Sequence, residues 1–265
     1  MLPNHGCADW RAELDREHEM RLEEGMFVEA ERQRVQAWLV DAPEDPQAFV
    51  AWFEALEVNG PGQGDPLFDW LANDASLLEM TWFLRQELVG EAGFDDLVAL
   101  TQVRMPLGPK LELARNYWDE MGRGHRSAVH ALMLEVLGDG LSGPHVEPVW
   151  ESLALANLMA ALACNRSLAY QSIGALGAIE LTAPGRAARV HAGLKRLGIH
   201  GRMRRYFAVH ATLDIEHARG WQQEVLAPLV RADAPVARLI AEGALLRLAA
   251  GARCFARYRR ELGLR

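Results

Sequence analysis

Leu153-Ala-Leu-Ala-Asn-Leu-Met-Ala-Ala-Leu-Ala-Cys164, then the break Asn165-Arg-Ser167, then Ser172-Ile-Gly-Ala-Leu-Gly-Ala-Ile-Glu180 is the stretch that decides the fold class. Leu, Ala and Met are strong helix formers, and no alternation of polar and apolar residues marks a strand. The first run is twelve residues long and contains Asn157, whereas crossing a bilayer takes about 20 apolar residues. It therefore reads as a pair of central helices in a water-surrounded core.

Outward from this pair the chain continues to read as helix. Residues 9–40 are rich in Glu, Arg and Ala, with a thin apolar stripe from Trp10 to Leu39. A short helix is expected from Pro46 to Leu56, where Phe49, Trp52, Phe53 and Leu56 recur at helical spacing. Asn59-Gly-Pro-Gly-Gln-Gly-Asp-Pro66 is the clearest punctuation, and the expected division is an N-terminal helical appendage, 1–60, and a main bundle, 67–265. Within the bundle the pattern predicts a helix from Ala75 to Val103, capped by Asn73 or Asp74 and kinked at Gly90 or Gly93. Further helices are expected over Lys110–Met121, Ser127–Leu137, Arg186–Leu197, Met203–Gln223 and Ala234–Leu262. With no strand pattern and no fixed repeat, the class is all-α.

Composition narrows the function. The 265 residues are 50% hydrophobic and 24% charged, with a net charge of −8. An acidic chain lacks the basic surplus that a phosphate backbone requires, so nucleic acid is not an expected partner. Cys7, Cys164 and Cys254 are far apart and form no CxxC pair, which excludes a zinc ribbon and a disulfide framework. The first ten residues lack the basic start and apolar run of a secretory signal. The expectation is a cytoplasmic protein with no membrane partner. The basic stretch Arg186, Arg189, Lys195, Arg196, Arg202, Arg204 and Arg205 reads as a solvated helix face, with anion binding as the alternative. Scattered Met and Trp read as core. Gly122-Arg-Gly124 follows no strand and is no phosphate loop.

The chemistry lies in carboxylates and histidines. In His210-Ala-Thr-Leu-Asp-Ile-Glu-His217, positions 210, 214 and 217 fall within a strip roughly 60° wide on a helix. Such a strip is either a metal site or a structural network. Asp15-Arg-Glu-His18 repeats the Asp-x-x-His spacing in a densely charged helix, where a solvated face is the expected reading. Glu180 ends its small-residue run as either a helix-end residue pointing outward or a buried charge in need of a cation. Glu120 and His130 would be about 15 Å apart on one straight helix, but the glycines at 122 and 124 allow the chain to turn back between them. His125 lies inside that break and is the weaker donor. Upstream, Glu87, Glu91 and Asp95 recur every four residues, a pattern also expected of a salt-bridged face. Carboxylates and imidazoles without thiolates suit iron or manganese better than structural zinc. The number of donors suits two ions sharing a carboxylate. The paired Glu-x-x-His motifs of ferritin-like bundles are missing.

Taken together, Asn116-Tyr-Trp-Asp-Glu120, His130, Glu180 and the His210-x3-Asp214-x2-His217 strip resemble the haem-oxygenase-like di-iron oxidases and oxygenases, the iron-containing redox enzymes. The resemblance covers roughly residues 67–225. It implies a haem-oxygenase-like helical bundle with two Fe(II) ions, manganese being the alternative metal, and O2 as co-substrate. By the same resemblance Glu120, His130, Glu180 and His210 would hold one iron. Glu120 would bridge to a second iron completed by Asp214, His217 and an upstream glutamate, Glu91 first and Glu87 in reserve. The implied activity is N-oxygenation or oxidative C–C cleavage of a small amine or amino-acid-like metabolite, with an external electron donor and a homodimer as further expectations. Tyr117, Trp118 and Tyr170 read as core aromatics rather than an electron relay. The alternative is a non-catalytic metal- or cofactor-binding bundle of the haem oxygenase and thiaminase kind. Residues 1–60 lie outside the resemblance.

Overall fold

The computed structural model describes residues 9–91, 93–141 and 146–264. Two long helices form its axis, α9 (Ala169–Arg196) and α12 (Val236–Glu261). They cross at contact distance because each offers a glycine to the other's backbone. A Cβ on Gly174 would lie 1.8 Å from the Ile240 carbonyl oxygen, and one on Gly243 would lie 1.8 Å from that of Gln171. Only hydrogen fits at either point. Around the crossing Ile173, Leu176, Ile240, Ala244 and Leu246 are fully buried, and truncating one of the larger of them costs about 2–5 kcal/mol.

The other helices wrap this pair. On one side stand α6 (Leu107–Glu120), α7 (His130–Gly140) and α10 (Arg205–Gly220), with α10 packed along α9. On the others lie α3 (Pro66–Asn73), α4 (Leu77–Glu91), α5 (Phe94–Thr101) and α8 (Trp150–Cys164). A π-helical turn, Trp221–Leu226, joins α10 to α11 (Ala227–Ala232). There is no strand among the described residues, and no helix is long and apolar enough to cross a membrane.

The N-terminal segment packs on this bundle through α1 (Trp10–Val35) and α2 (Pro46–Asn59). Glu242, buried in α12, accepts from Arg32 Nε at 3.0 Å, Gln36 Nε2 at 3.2 Å and Gln171 Nε2 at 3.0 Å. These charge-assisted bonds make its burial tolerable. Val28 and Val35 are buried in the core, whereas the first half of α1 leaves Trp10, Leu14, Met20 and Leu22 exposed.

Three local expectations are corrected. The helix after residue 74 starts at Leu77, and its cap is Ser76. Ser76 Oγ accepts from the Glu79 amide, and Glu79 accepts from the Ser76 amide at 2.8 Å, a capping box that displaces Asn73 and Asp74. The helix does not kink through to Val103. It ends at Glu91, and α5 starts after Gly93, whose φ is +88°. The helix expected separately over Arg186–Leu197 is the second half of α9, which continues through Glu180 and Pro184 to Arg196.

Candidate metal centre

Glu120 is the last residue of α6, and His130 is the first of α7. Between them Gly122, Arg123 and Gly124 all have positive φ (+62°, +53° and +82°), which reverses the chain. Gly122 cannot be replaced without moving the backbone, since a Cβ there would lie 2.4 Å from the Ala128 carbonyl carbon. The reversal brings His130 Nδ1 to 2.7 Å from Glu120 Oε2. His210 Nε2 is 3.1 Å from the same His130 nitrogen. His210 Nδ1 donates to the Tyr206 carbonyl at 2.8 Å, which leaves Nε2 as the nitrogen with a lone pair.

Glu180 lies in the middle of α9, 2% exposed, so the buried-charge alternative holds and the helix-end reading fails. Its Oε1 accepts from Asn116 Nδ2 at 2.6 Å, and its Oε2 is 3.3 Å from His217 Nδ1. One turn along α10, buried Asp214 places Oδ1 at 3.7 Å from the same nitrogen. His217 Nδ1 is itself buried and aligned with neither carboxylate for a hydrogen bond. The opposite nitrogen, Nε2, faces Asp119 Oδ2 at 3.3 Å, and Asp119 is held in turn by Arg123.

The donors thus converge as two overlapping groups. Glu120, His130 and His210 form one, and Glu120, Glu180 and His217 form the other, each with its ligand atoms within 4.8 Å. Asp214 flanks the second. The resemblance groups Glu180 with His130 and His210, whereas the fold sets its Oε2 3.3 Å from His217 Nδ1. Glu91 closes α4, but its side chain lies outside the described residues. Half-buried Glu87 lines the cavity beside the cluster. His125 and Trp118 are exposed, so Trp118 is not a core aromatic.

Charge in the cluster is frustrated. Burial pushes the Glu120 carboxyl up to about 8. Burial, aided by the charge of His217, lowers His130 to about 4, and burial lowers His210 as well. Burial opposes protonation of His217 too, but Glu180 and Asp119 outweigh it and raise that imidazole to about 9. Neutral His130 and His210 are in their ligand form, and protons stand where cations would relieve the carboxylates. Among the described residues the donor set is oxygen and nitrogen only, since Cys164 is exposed and Cys254 lies in α12 near Tyr258. Such a set fits iron.

The description of iron-containing redox enzymes matches residues 81–252, well over half of the chain. The chain belongs to this family. The matched segment runs from α4 through most of α12 and contains Glu120, His130, Glu180, His210, Asp214 and His217. No curated protein matches the chain.

Two supporting residues of this family member escaped the spacing argument. Asn116 precedes Glu120 by four residues and so shares its face, a signal available in the sequence. Asp119 lies four residues before Arg123, but only the arrival of α10 reveals that it steadies His217.

Proposed function

We propose that this iron-dependent redox enzyme is a non-haem di-iron oxidase or oxygenase that uses O2 to oxidise a small metabolite. One observation carries the reading: Glu120 belongs to both groups of converging buried donors, as a carboxylate bridging two ions would. Glu120, His130 and His210 would hold one Fe(II), and Glu120, Glu180, Asp214 and His217 the other. Glu91 stays the proposed upstream ligand and Glu87 its reserve. When bound, the ferrous pair supplies the two electrons that let O2 react with a closed-shell molecule.

The remaining work falls to the protein. Asn116 fixes Glu180, while Asp119 and Arg123 fix His217, so that the nitrogen and oxygen donors keep their aim. Phe68, Phe83, Leu155 and Phe207 line a cavity of about 70 Å³ beside Glu120, Glu180, His210 and Asp214. That apolar wall excludes water and holds a substrate within reach of the donors. N-oxygenation and oxidative C–C cleavage are the proposed outcomes, with an external donor restoring electrons where the substrate does not.

Mixing ferrous-loaded protein with O2 in a stopped-flow cell tests the reading. It predicts rapid uptake of one O2 for each iron pair and a transient visible absorption. Slow oxidation that continues to take up many irons per chain would instead mark a storage protein.

A further inference from the structure

Phe68 and Arg186 each border two spaces. Inside, they line the cavity that also takes in Glu120, Glu180, His210 and Asp214. Outside, they line a groove between the turn before α3 and the flank of α9, with Val58, Asp69, Thr182 and Gly185. Val58 and Gly185 are exposed, whereas Phe68 is 5% exposed. Among the described residues these two alone line both spaces.

Both side chains stack on Phe255. The Phe68 ring stands edge-on to it at 4.9 Å between centres, and edge-on to Phe83 at 6.2 Å. The Arg186 guanidinium carbon is 5.5 Å from the centre of Phe255 and 5.9 Å from that of Phe68. A phenyl ring can turn aside without leaving a buried polar group unpaired, so this stack can yield where a hydrogen-bonded plug would resist. The frame around it is fixed. Asp65 caps α3, accepting from the Leu67 amide at 3.0 Å, and is held by Arg259 of α12. Asp69 pairs with Arg189 of α9 at 2.5 Å. Arg186 Nη2 donates to Thr182 Oγ1 at 2.9 Å, and that hydroxyl donates to the Ala178 carbonyl at 2.7 Å. With α3 clasped to α9 and α12, side chains rather than helices set the width of the passage. Behind the stack, Ala183 and Ala187 line the cavity three and seven residues beyond Glu180. They share its face of α9 and offer only a methyl group each. Arg186 is six residues beyond Glu180, about 9 Å along the axis.

We propose that the groove between α3 and α9 is the entrance to the cavity, and that Phe68 and Arg186 form a neck that selects molecules by their width. Selection then happens before a molecule reaches the donors. The statement that the admitted molecules are oxidised rests on the di-iron reading; the entrance does not.

Cys254 supplies a reporter inside. It lines the same cavity and is 1% exposed, and in a chain with Cys7→Ser and Cys164→Ser it is the one cysteine left. Burial pushes its thiol up to about 12, which slows all thiol reagents alike, because the thiolate is the reactive form. The ratio of two reagents' rates, divided by their ratio on the unfolded chain, therefore reports access. Methyl and benzyl methanethiosulfonate, both uncharged, are followed by mass spectrometry on the metal-free full chain. The methyl reagent should react about tenfold faster or more, since packed side chains leave little free width. Phe68→Ala leaves space at the neck and should bring the two rates to within about threefold. Gly185→Phe partly fills the groove from outside, at an exposed position where a Cβ meets only Arg189 Nη1 at 3.4 Å, and should slow both reagents several-fold. Leu134→Ala enlarges the cavity at α7 and should leave the ratio unchanged. Equal corrected rates in the starting protein, a ratio unmoved by Phe68→Ala, or rates unmoved by Gly185→Phe overturns the proposal, because Cys254 is then reached through unfolding or by another route. A thiol that reacts with neither reagent overturns it too. Ferrous uptake is counted on the same proteins. A working neck without iron uptake upholds the entrance and removes the di-iron reading, and iron uptake without a neck does the reverse.

Discussion

Asp15-Arg-Glu-His18 in α1 and Asp214-Ile-Glu-His217 in α10 share the spacing Asp-x-Glu-His, and they have opposite surroundings. Asp15 and His18 are exposed, and their neighbours Glu13 and Arg16 pair with each other across the surface. Asp214 and His217 are buried, 2% and 7% exposed, while Glu216 between them faces solvent. Helical spacing aligns donors equally well in both places. The difference comes from the other helices: α9 brings Glu180 and α6 brings Glu120 to the second strip, and among the described residues no such donor group forms at the first. A metal strip is therefore a tertiary property, and its two versions can be set against each other by mutation.

The sharpest contrast is Glu120→Ala against His18→Ala. Loss of the shared carboxylate should abolish binding of both irons, at least 100-fold in affinity, while His18→Ala retains full stoichiometry. Bound iron measured after anaerobic desalting decides between them. His217→Ala should have an intermediate effect, with one ion lost and the other kept by His130 and His210. Equal metal loss in Glu120→Ala and His217→Ala would mean that the two groups fill only together.

Asp119→Asn should act more gently. The side chain keeps its shape, but the carboxylate behind His217 Nε2 is gone, and such outer partners are typically worth 10- to 100-fold in metal affinity. Only the ion held by His217 should weaken, seen as a split between two binding steps.

The smallest effect concerns metal-free protein. A folded pKa of about 8 for Glu120 lies above the ordinary carboxylate range, so its stabilising contribution is present at low pH and lost as pH rises toward 8. His217, raised to about 9, acts in the same direction above its ordinary range. His130, lowered to about 4, acts oppositely, and its contribution is lost as pH falls below its ordinary value toward 4. Metal-free Tm should therefore peak between these limits and decline on both sides by a few degrees. Glu120→Gln should flatten the decline below pH 8. An unchanged alkaline decline in that variant would show that Glu120 is not the strained group.

Much of this was legible in the sequence because helices announce themselves locally. The apolar runs of α8 and α9, the reversal at Gly122 and Gly124, and the strip at His210, Asp214 and His217 all depend on neighbouring residues. Glu180 was harder. Pro184 and Gly185 look like a helix stop, since proline lacks the N–H that the Glu180 carbonyl would accept. The helix continues because α10 and α12 pack against α9 on either side and outweigh the lost bond. The partnership of Glu180 with His217, rather than with His130, depends on how α10 lies against α9. The role of Asp119 likewise depends on a helix distant in the chain, which no local spacing reports.

The central claim is that one carboxylate, Glu120, joins two metal positions. Anaerobic titration of the metal-free chain with ferrous ion, with bound iron counted against protein, tests it most directly. The account predicts saturation at two ions per chain. Saturation at one ion or fewer would contradict it, because the two donor groups that meet at Glu120 would then be a single site or a purely structural network.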